Sequence, residues 1–342
     1  MEQAVVQHAK VYVTSAYEDT EPFNSALSAI KLDKFQKHSV TDDPASADII
    51  LFIENSRFHE DYFYQRLKSH PLLKLYPSKV FMYNPHDQPW YILPGLYGNM
   101  PRKLYNNNFM AASPFFEETN SLMYCDFSKT PEYLFCFNGN PQSCPSLRNK
   151  VLRLKHPRAK LENVYSAIFG KHPQSVKLGY ADLMTASKFV LCPKGSGTAS
   201  FRLFEAMRAG RVPVILSDKW VPPVGPSWDD FSIRIAQKDV DKIPEILERE
   251  EANWEKKDRL ARQTWEDYFA PDTIFNYMID QVLELRIRMQ NGKRPSVIGQ
   301  RLKFFKYAFR RLVIQNIKGW PIYNLIRKNY SKVISRHFHL SR

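Results

Sequence analysis

Ser187-Lys-Phe-Val-Leu-Cys-Pro-Lys-Gly-Ser-Gly-Thr-Ala-Ser-Phe-Arg-Leu-Phe-Glu-Ala-Met-Arg-Ala-Gly-Arg-Val-Pro-Val-Ile-Leu-Ser-Asp218 is the stretch whose reading decides the fold. A short apolar run, Phe189 to Cys192, leads into a glycine-bearing loop. A helix-period segment follows from Ser200 to Ala209, then Gly210 and a second apolar run, Val212 to Leu216. Apolar runs of this length without polar alternation suit parallel strands covered on both faces, joined by a right-handed crossover helix. The stretch predicts a βαβ unit.

In the predicted helix, Phe201, Phe204 and Met207 recur on one packing face, and Arg202, Glu205 and Arg208 share another that is left for chemistry. The loop Lys194-Gly195-Ser196-Gly197-Thr198-Ala199-Ser200 opens directly onto that helix. Glycines let a ligand approach the backbone, and the N–H groups and positive dipole end of a helix attract anions. Lys194 and Arg202 flank the loop as a point charge and a bidentate fork suited to a diphosphate. Glu205, one turn on, is placed to accept hydrogen bonds from the vicinal hydroxyls of a ribose. The same residues also fit a plain turn and a surface ion pair, and spacing alone leaves these readings open. The loop has neither the third glycine of a dinucleotide fingerprint nor the order of a Walker loop.

Ser187-Lys-Phe-x-Leu-Cys-Pro-Lys-Gly, Ser200-Phe-Arg-Leu-Phe-Glu-Ala-Met, Gly210-Arg-Val-Pro-Val-Ile-Leu-Ser-Asp and Trp228-Asp-Asp-Phe-Ser-Ile, in this order, resemble the exostosin family of glycosyltransferases. The resemblance implies an α/β chain of the GT-B type, with two Rossmann-like domains facing a cleft. It also implies a nucleotide-sugar co-substrate, usually UDP-linked, inversion at the anomeric carbon, and no obligatory cofactor or metal. By the same resemblance Lys194, Ser200 and Arg202 meet the diphosphate, with Gly195, Gly197 and Thr198 in the same loop, and Glu205 meets the ribose. The family also shows a Phe-x-Gly with an Arg about nine residues on, matched here by Phe137-Asn-Gly139 and Arg148, so Gly139 and Arg148 are assigned to the diphosphate as well; an ordinary surface charge is the other reading of Arg148.

The chain has 342 residues, more than one usual domain, and 44% apolar and 14% aromatic residues, which describe a globular protein. Its net charge of +14 is local: Leu285 to Arg342 holds 15 Lys and Arg and no acid, leaving 34 basic against 35 acidic residues before it. The body is near neutral, so the charge does not read as a nucleic-acid signal. No apolar run approaches the roughly 20 residues that span a bilayer, and Met1 to Lys10 lacks a signal-peptide core. Exostosins of eukaryotes typically carry an N-terminal membrane helix, and this departure favours a bacterial-type cytoplasmic enzyme. Cys125, Cys136, Cys144 and Cys192 form no Cys-x-x-Cys and read as reduced, partly buried thiols.

Residues 1–128 are expected to form the first Rossmann-like, acceptor-side domain, with strands at Lys10–Thr14, Asp48–Ile53 and Lys79–Tyr83 and helices at Asn24–Phe35 and Glu60–Ser69. The irregular run from Asn84 to Pro101 leaves the carboxyl end of a strand, where open α/β sheets place ligands; its Leu-Pro-Gly-Leu-Tyr also resembles bacterial exostosin-like sequences. An inverting transferase needs a base for the acceptor hydroxyl. Asp87 is the candidate, with His86 and Glu54 behind it, although Asp before Gln-Pro also caps turns.

Residues 129–270 are expected to bind the nucleotide sugar, with a strand at Tyr133–Phe137, helices at Pro145–Lys155 and Tyr180–Ala186, and a strand at Phe231–Ile235. Asp218 ends a strand at the cleft, within reach of the donor sugar. Asp239-Val-Asp241 has metal-binding spacing but heads a predicted helix, Asp239–Glu248, where acids cap, so no metal is assigned. Helices are expected at Glu251–Phe269 and Asp272–Gln290, the second crossing back to the first domain at 271–290. Residues 291–342 are expected to form a basic amphipathic tail; residues 293–342 suit an anionic membrane surface, each cation adding about 1 kcal/mol near it, and a helix pair docked on the body is the other reading. The expected partners are a nucleotide sugar and an oligosaccharide acceptor, lipid-linked in the form that uses that surface, without nucleic acid. The expected place is the inner face of the membrane, and the product a cell-surface glycan such as O-antigen or capsule. The contrasting readings are a fucosyltransferase-like enzyme using a GDP-sugar and a non-catalytic protein binding membrane or RNA through the tail.

Overall fold

The computed structural model describes residues 8–17, 20–54, 61, 64–87, 89, 91–164, 172–291 and 302. The chain divides into a body, Met1–Gly292, and a C-terminal unit, Lys293–Arg342. The expected tail, 291–342, begins at the last residue of the body's final helix, Asn291, and beyond it lies outside the described residues except for Leu302. Among the described residues no helix is long and apolar enough to cross a membrane.

The first lobe runs β1 (Lys10–Thr14), α1 (Glu21–Leu32), β2 (Ser39–Val40), β3 (Ile49–Ile53), α2 (Gln65–Ser69), α3 (Pro71–Leu75), β4 (Val80–Asn84), β5 (Gly95–Tyr97) and β6 (Met110–Ala112). The second runs β7 (Tyr133–Gly139), α4 (Pro145–Leu152), β8 (Ala159–Asn163), α5 (Gln174–Thr185), β9 (Ser187–Pro193), α6 (Phe201–Arg208), β10 (Val212–Leu216), α7 (Trp228–Phe231), β11 (Ile233–Arg234), α8 (Ile243–Glu250) and α9 (Trp254–Thr264). A last helix, α10 (Ile274–Asn291), follows.

Both sheets are parallel, in the orders β2-β1-β3-β4-β5-β6 and β11-β10-β9-β7-β8. The unbroken apolar runs Ile49–Ile53 and Val212–Leu216 are buried at every residue, as central strands covered on both faces must be. This is the α/β, GT-B type arrangement that the resemblance implies. In each sheet the strand order reverses once, between β1 and β3 and between β7 and β9, and the carboxyl ends flanking such a reversal form the natural ligand crevice.

Several elements differ from expectation for local reasons. α1 stops at Leu32 rather than Phe35 because the Asp33 carboxylate accepts from the N–H groups of Phe35 (3.3 Å) and Gln36 (3.1 Å), and Gln36 turns into the left-handed region (φ 49°). The irregular run after β4 contains β5, where Gly95 is obligatory: a Cβ there would lie 1.9 Å from the Met82 carbonyl oxygen of the neighbouring strand. The strand expected at Phe231–Ile235 is cut to two residues, because Trp228 and Phe231 belong to a helical turn and pack into the core. The helix expected over Glu251–Phe269 is divided into a 3-10 turn, α9 and a closing π-turn, Trp265–Phe269. Asp239 lies inside a 3-10 turn and pairs with Lys242 at 2.8 Å instead of capping a helix.

One apolar core is continuous from the first sheet (Val11, Leu51, Phe81) through Phe115 and Phe116 of the connector after β6 to Leu203 and Met207 of α6. α10 packs on α1, β5 and β6 of the first lobe. Its Asp280 accepts from Lys37 (2.8 Å) and pairs with the fully covered His38 ring (2.9 Å), and Arg288 donates to the Asn107 carbonyl (3.0 Å). Replacing Asp280 by alanine should cost about 1–3 kcal/mol of stability at neutral pH, the range of hydrogen bonds to a charged group. Although burial opposes it, the His38 and Lys37 bonds hold the Asp280 carboxyl below its usual range. Its stabilisation is therefore present at neutral pH and lost as the pH falls through the depressed value, so denaturant titrations should show the gap to the variant closing in acid.

Candidate functional site

At the reversal of the second sheet, the ends of β7 and β9 hold two arginines. Arg148, from α4, is 8% exposed and spends its guanidinium on backbone carbonyls: Nε on Lys194 (3.1 Å), Nη1 on Asn140 (2.9 Å) and Nη2 on Pro193 (3.1 Å). Arg202, from the first turn of α6, donates to the Asn138 carbonyl (2.5 Å) and lies over the Phe137 ring at 4.8 Å, while its Nε is buried without a partner. Neither makes an ion pair among the described residues. Burial, then the neighbouring Arg202 charge, brings the Arg148 guanidinium down to about 10. Burial disfavours the Arg202 charge too, but Tyr180, Cys192 and Glu205 outweigh it and its pKa is raised. Two cations are thus held together in a crevice with no carboxylate bound to either, an arrangement that a polyanion completes.

The glycines serve this pair. A Cβ on Gly139 would stand 2.6 Å from Arg202 Nη2, one on Gly195 3.1 Å from Arg148 Nη2, and one on Gly197 2.3 Å from Asn99 Oδ1 and 2.8 Å from Asp87 Oδ1. The last two atoms belong to the first lobe. Asn99, 1% exposed, bolts the lobes: its Oδ1 accepts from Ala199 N (2.8 Å), its carbonyl accepts from Thr198 Oγ1 (2.9 Å), and its Nδ2 donates to the Pro85 carbonyl (3.0 Å). Arg102 adds a second strap, from its N to the Lys219 carbonyl (2.8 Å) and from Nη2 to that of Trp220 (3.3 Å). Asn99 carries no motif and was not read from the sequence; the only signal was its place on the irregular run after β4.

The face of α6 expected to be free for chemistry is occupied. Its buried residues are Leu203, Ala206 and Met207, whereas Phe201 stacks on Phe115 of the connector at 4.0 Å. Arg208 pairs with Glu118, and Glu205 accepts from Tyr180 Oη on Oε2 (2.7 Å) and from Thr119 Oγ1 on Oε1. The correction has one cause: the connector covers this face, and sequence periodicity cannot see a segment 80 residues away.

Lys194 Nζ bonds the Gly195 carbonyl (3.2 Å), and Ser200 stands at the N-cap of α6 without a side-chain cap bond. Asp218, exposed after β10, accepts from Gln237 N (3.0 Å). Thus Gly139, Arg148, Gly195 and Arg202 lie together at the ends of β7 and β9, Lys194, Gly197, Thr198 and Ser200 belong to the same loop with Asp87 beside Gly197, and Glu205 lies one turn along α6. Glu54 ends β3 at the reversal of the first sheet, fully buried, accepting from Ala16 N (2.8 Å) and Ser15 Oγ (3.4 Å). Burial pushes it up to about 8. Burial likewise pushes the thiol of Cys136 up to about 11 and that of Cys192 up to about 12, and all four cysteines are free. Among the described residues no cluster of three or more His, Cys, Asp or Glu could hold a metal ion.

Residues 96–249, from β5 through α8, match the family model described as the exostosin GT47 domain. That span is similar to the exostosin GT47 domain. The matched span contains Asn99, the connector, both arginines and the glycine loop. An exostosin-1 homolog of Caenorhabditis elegans is 40% identical over 70 residues, 20% of this chain and 18% of the relative. A probable glucuronoxylan glucuronosyltransferase of Arabidopsis thaliana is 40% identical over 72 residues, 20% and 16%. The chain spans a fifth or less of the curated relatives it first matches. The crystal structure of a glycosyltransferase from Rickettsia africae aligns over 84% of this chain and all of that one, at 9% identity and a TM-score of 0.38, too distant to carry an argument.

Two outcomes follow from this arrangement. Gly197→Ala should force Asn99 and Asp87 away from the glycine loop, which hydrogen exchange will register as faster exchange of the Ala199 amide. For Glu54, the folded pKa of about 8 lies above the usual value of 4.5, so its contribution is full below the usual value and lost as pH rises through 8. Glu54→Gln should therefore gain thermal stability relative to the wild type between about pH 5 and pH 8 and level off above that, measured by calorimetric melting.

Proposed function

We propose that this chain is an inverting glycosyltransferase that moves a sugar from a nucleoside diphosphate donor, UDP-linked, onto a growing cell-surface glycan. The observation that carries the reading is the pair of arginines, Arg148 buried and Arg202 half-buried, held without a bound carboxylate at the strand-order reversal of the second sheet. A diphosphate brings the charge this crevice lacks, with Lys194 beside it and the N-terminus of α6 open to it. The match of residues 96–249 to the exostosin GT47 domain supports sugar transfer as the chemistry, and the curated relatives include probable glycosyltransferases.

In this reading the second lobe, residues 129–270, holds the donor and residues 1–128 present the acceptor. Asp87, beside Gly197, takes the proton of the acceptor hydroxyl as that oxygen bonds to the anomeric carbon. The bond from that carbon to the diphosphate breaks on the opposite face, and the arginines and Lys194 take up the developing charge. Glu205 receives the ribose hydroxyls, and Asp218 faces the sugar. The basic residues of 293–342 hold the enzyme to an anionic surface at the cytoplasmic face of a membrane, where a lipid-linked acceptor lies.

Calorimetric titration with UDP, GDP, ADP and CMP, with and without EDTA, tests the donor site. One diphosphate, UDP, should bind, EDTA should leave its affinity unchanged, and Arg202→Ala should weaken it by roughly 10- to 100-fold, the worth of a charged hydrogen bond. Selective binding of GDP would move the donor to the guanosine class. Absence of binding by every nucleotide would remove the reading.

A further inference from the structure

The two hydroxyls that clasp Glu205 come from different parts of the fold. Tyr180 belongs to α5 and donates to Oε2 at 2.7 Å; Thr119 belongs to the connector between the lobes and donates to Oε1. Each carboxylate oxygen therefore carries one protein donor, and each accepts two, so one acceptor position per oxygen stays available. Two donors on opposite oxygens also remove rotation about the terminal torsion of glutamate, which is otherwise broad. The carboxylate is thereby held as a fork with both remaining positions set, matching two adjacent hydroxyls.

Thr119 is itself held from several directions. Phe115 stacks on Phe201 at 4.0 Å, Glu118 pairs with Arg208, and Asn120 Nδ2 donates to the Lys177 carbonyl at 2.9 Å. The connector is thus bonded to α6 and α5 on both sides of Thr119. Burial and the Glu205 charge keep the Tyr180 phenol protonated, so it remains a donor. Beside this clasp a small cavity of about 60 Å³ lies between the connector and α6, lined by Phe116, Thr119, Phe204, Glu205 and Trp265 among others.

We propose that Thr119 and Tyr180 are positioning residues that orient the Glu205 carboxylate for the vicinal hydroxyls of the donor ribose, so that the ribose site is complete only when the interlobe connector is seated on α6. The proposal rests on the reading of Glu205 as the ribose acceptor. Neither residue touches the reacting atoms. Both act through Glu205, and their removal leaves a carboxylate that must be ordered by the ligand itself.

The test is a cycle of protein and ligand changes read by calorimetric affinity. The proteins are the full chain, Thr119→Val, Thr119→Ser, Tyr180→Phe and Glu205→Ala; the ligands are UDP and 2′,3′-dideoxy-UDP. Thr119→Val should weaken UDP roughly tenfold, the loss of one oriented charged hydrogen bond, and Thr119→Ser should restore it. With the dideoxy ligand, wild type and Thr119→Val should bind alike, since no hydroxyl remains for the fork to meet. If the valine variant does not fold, Tyr180→Phe reads the same cycle from the other oxygen. Equal weakening of both ligands would reduce these residues to structural supports and overturn the proposal. Loss of UDP affinity in Glu205→Ala with none in the folded clasp variants would overturn it while leaving Glu205 on the ribose. Unchanged UDP affinity in Glu205→Ala, or no UDP binding by the wild type, would remove the ribose reading and this proposal together.

Discussion

Two neighbouring guanidinium groups, one buried and one half-buried, with no carboxylate bound to either, are the constraint on which this molecule is arranged. Isolated charges in a protein interior are costly unless they are bonded and balanced. Arg148 meets the first requirement by donating to three carbonyls at the ends of β7 and β9, and Arg202 meets part of it at Asn138. The balance of charge is left to whatever occupies the crevice. Gly139 and Gly195 exist in this frame to make room for the arginines; the sequence reading had given the loop glycines to a ligand. The loop is shaped by protein neighbours first, and its affinity for an anion follows from those neighbours.

The second consequence concerns the two lobes. Gly197 admits Asn99 and Asp87 from the first lobe, and Asn99 bonds both Ala199 and Thr198. The arginines of one lobe are therefore faced by a carboxylate from the other, with the buried Asn99 amide and the Arg102 strap fixing their spacing. The connector supplies the remaining contacts: its Phe115 and Phe116 carry the apolar core from lobe to lobe, and its Thr119 reaches Glu205. Charge, spacing and carboxylate orientation thus depend on one interlobe packing.

What the sequence alone determined is the part governed by short-range periodicity and composition. The apolar runs of β1, β3, β4, β7, β9 and β10, the crossover helix after the glycine loop, and the confinement of excess charge to residues 285–342 all follow from spacing that needs no third dimension. The ordered motifs from Ser187 to Ile233 carried the resemblance that the match of residues 96–249 to the exostosin GT47 domain repeats. Short strands such as β5 and β6 were not legible, because three residues show no period and their pairing is decided by neighbours such as Met82. The strand sought at Phe231–Ile235 failed because Trp228 is drawn into an aromatic cluster with Phe204 and Phe269.

Only the tertiary structure decided which charged residues are spent and on what. Arg208 and Arg202 share a helical spacing, yet one pairs with Glu118 and the other lies over Phe137, because different segments meet the two. Asn99 and Thr119 have no signature in sequence at all, since a lone amide or hydroxyl acquires a role only from what lies opposite it across the lobes. Periodicity reports the environment along one element; hydrogen bonds between residues 86 and 100 positions apart are set by how the elements meet.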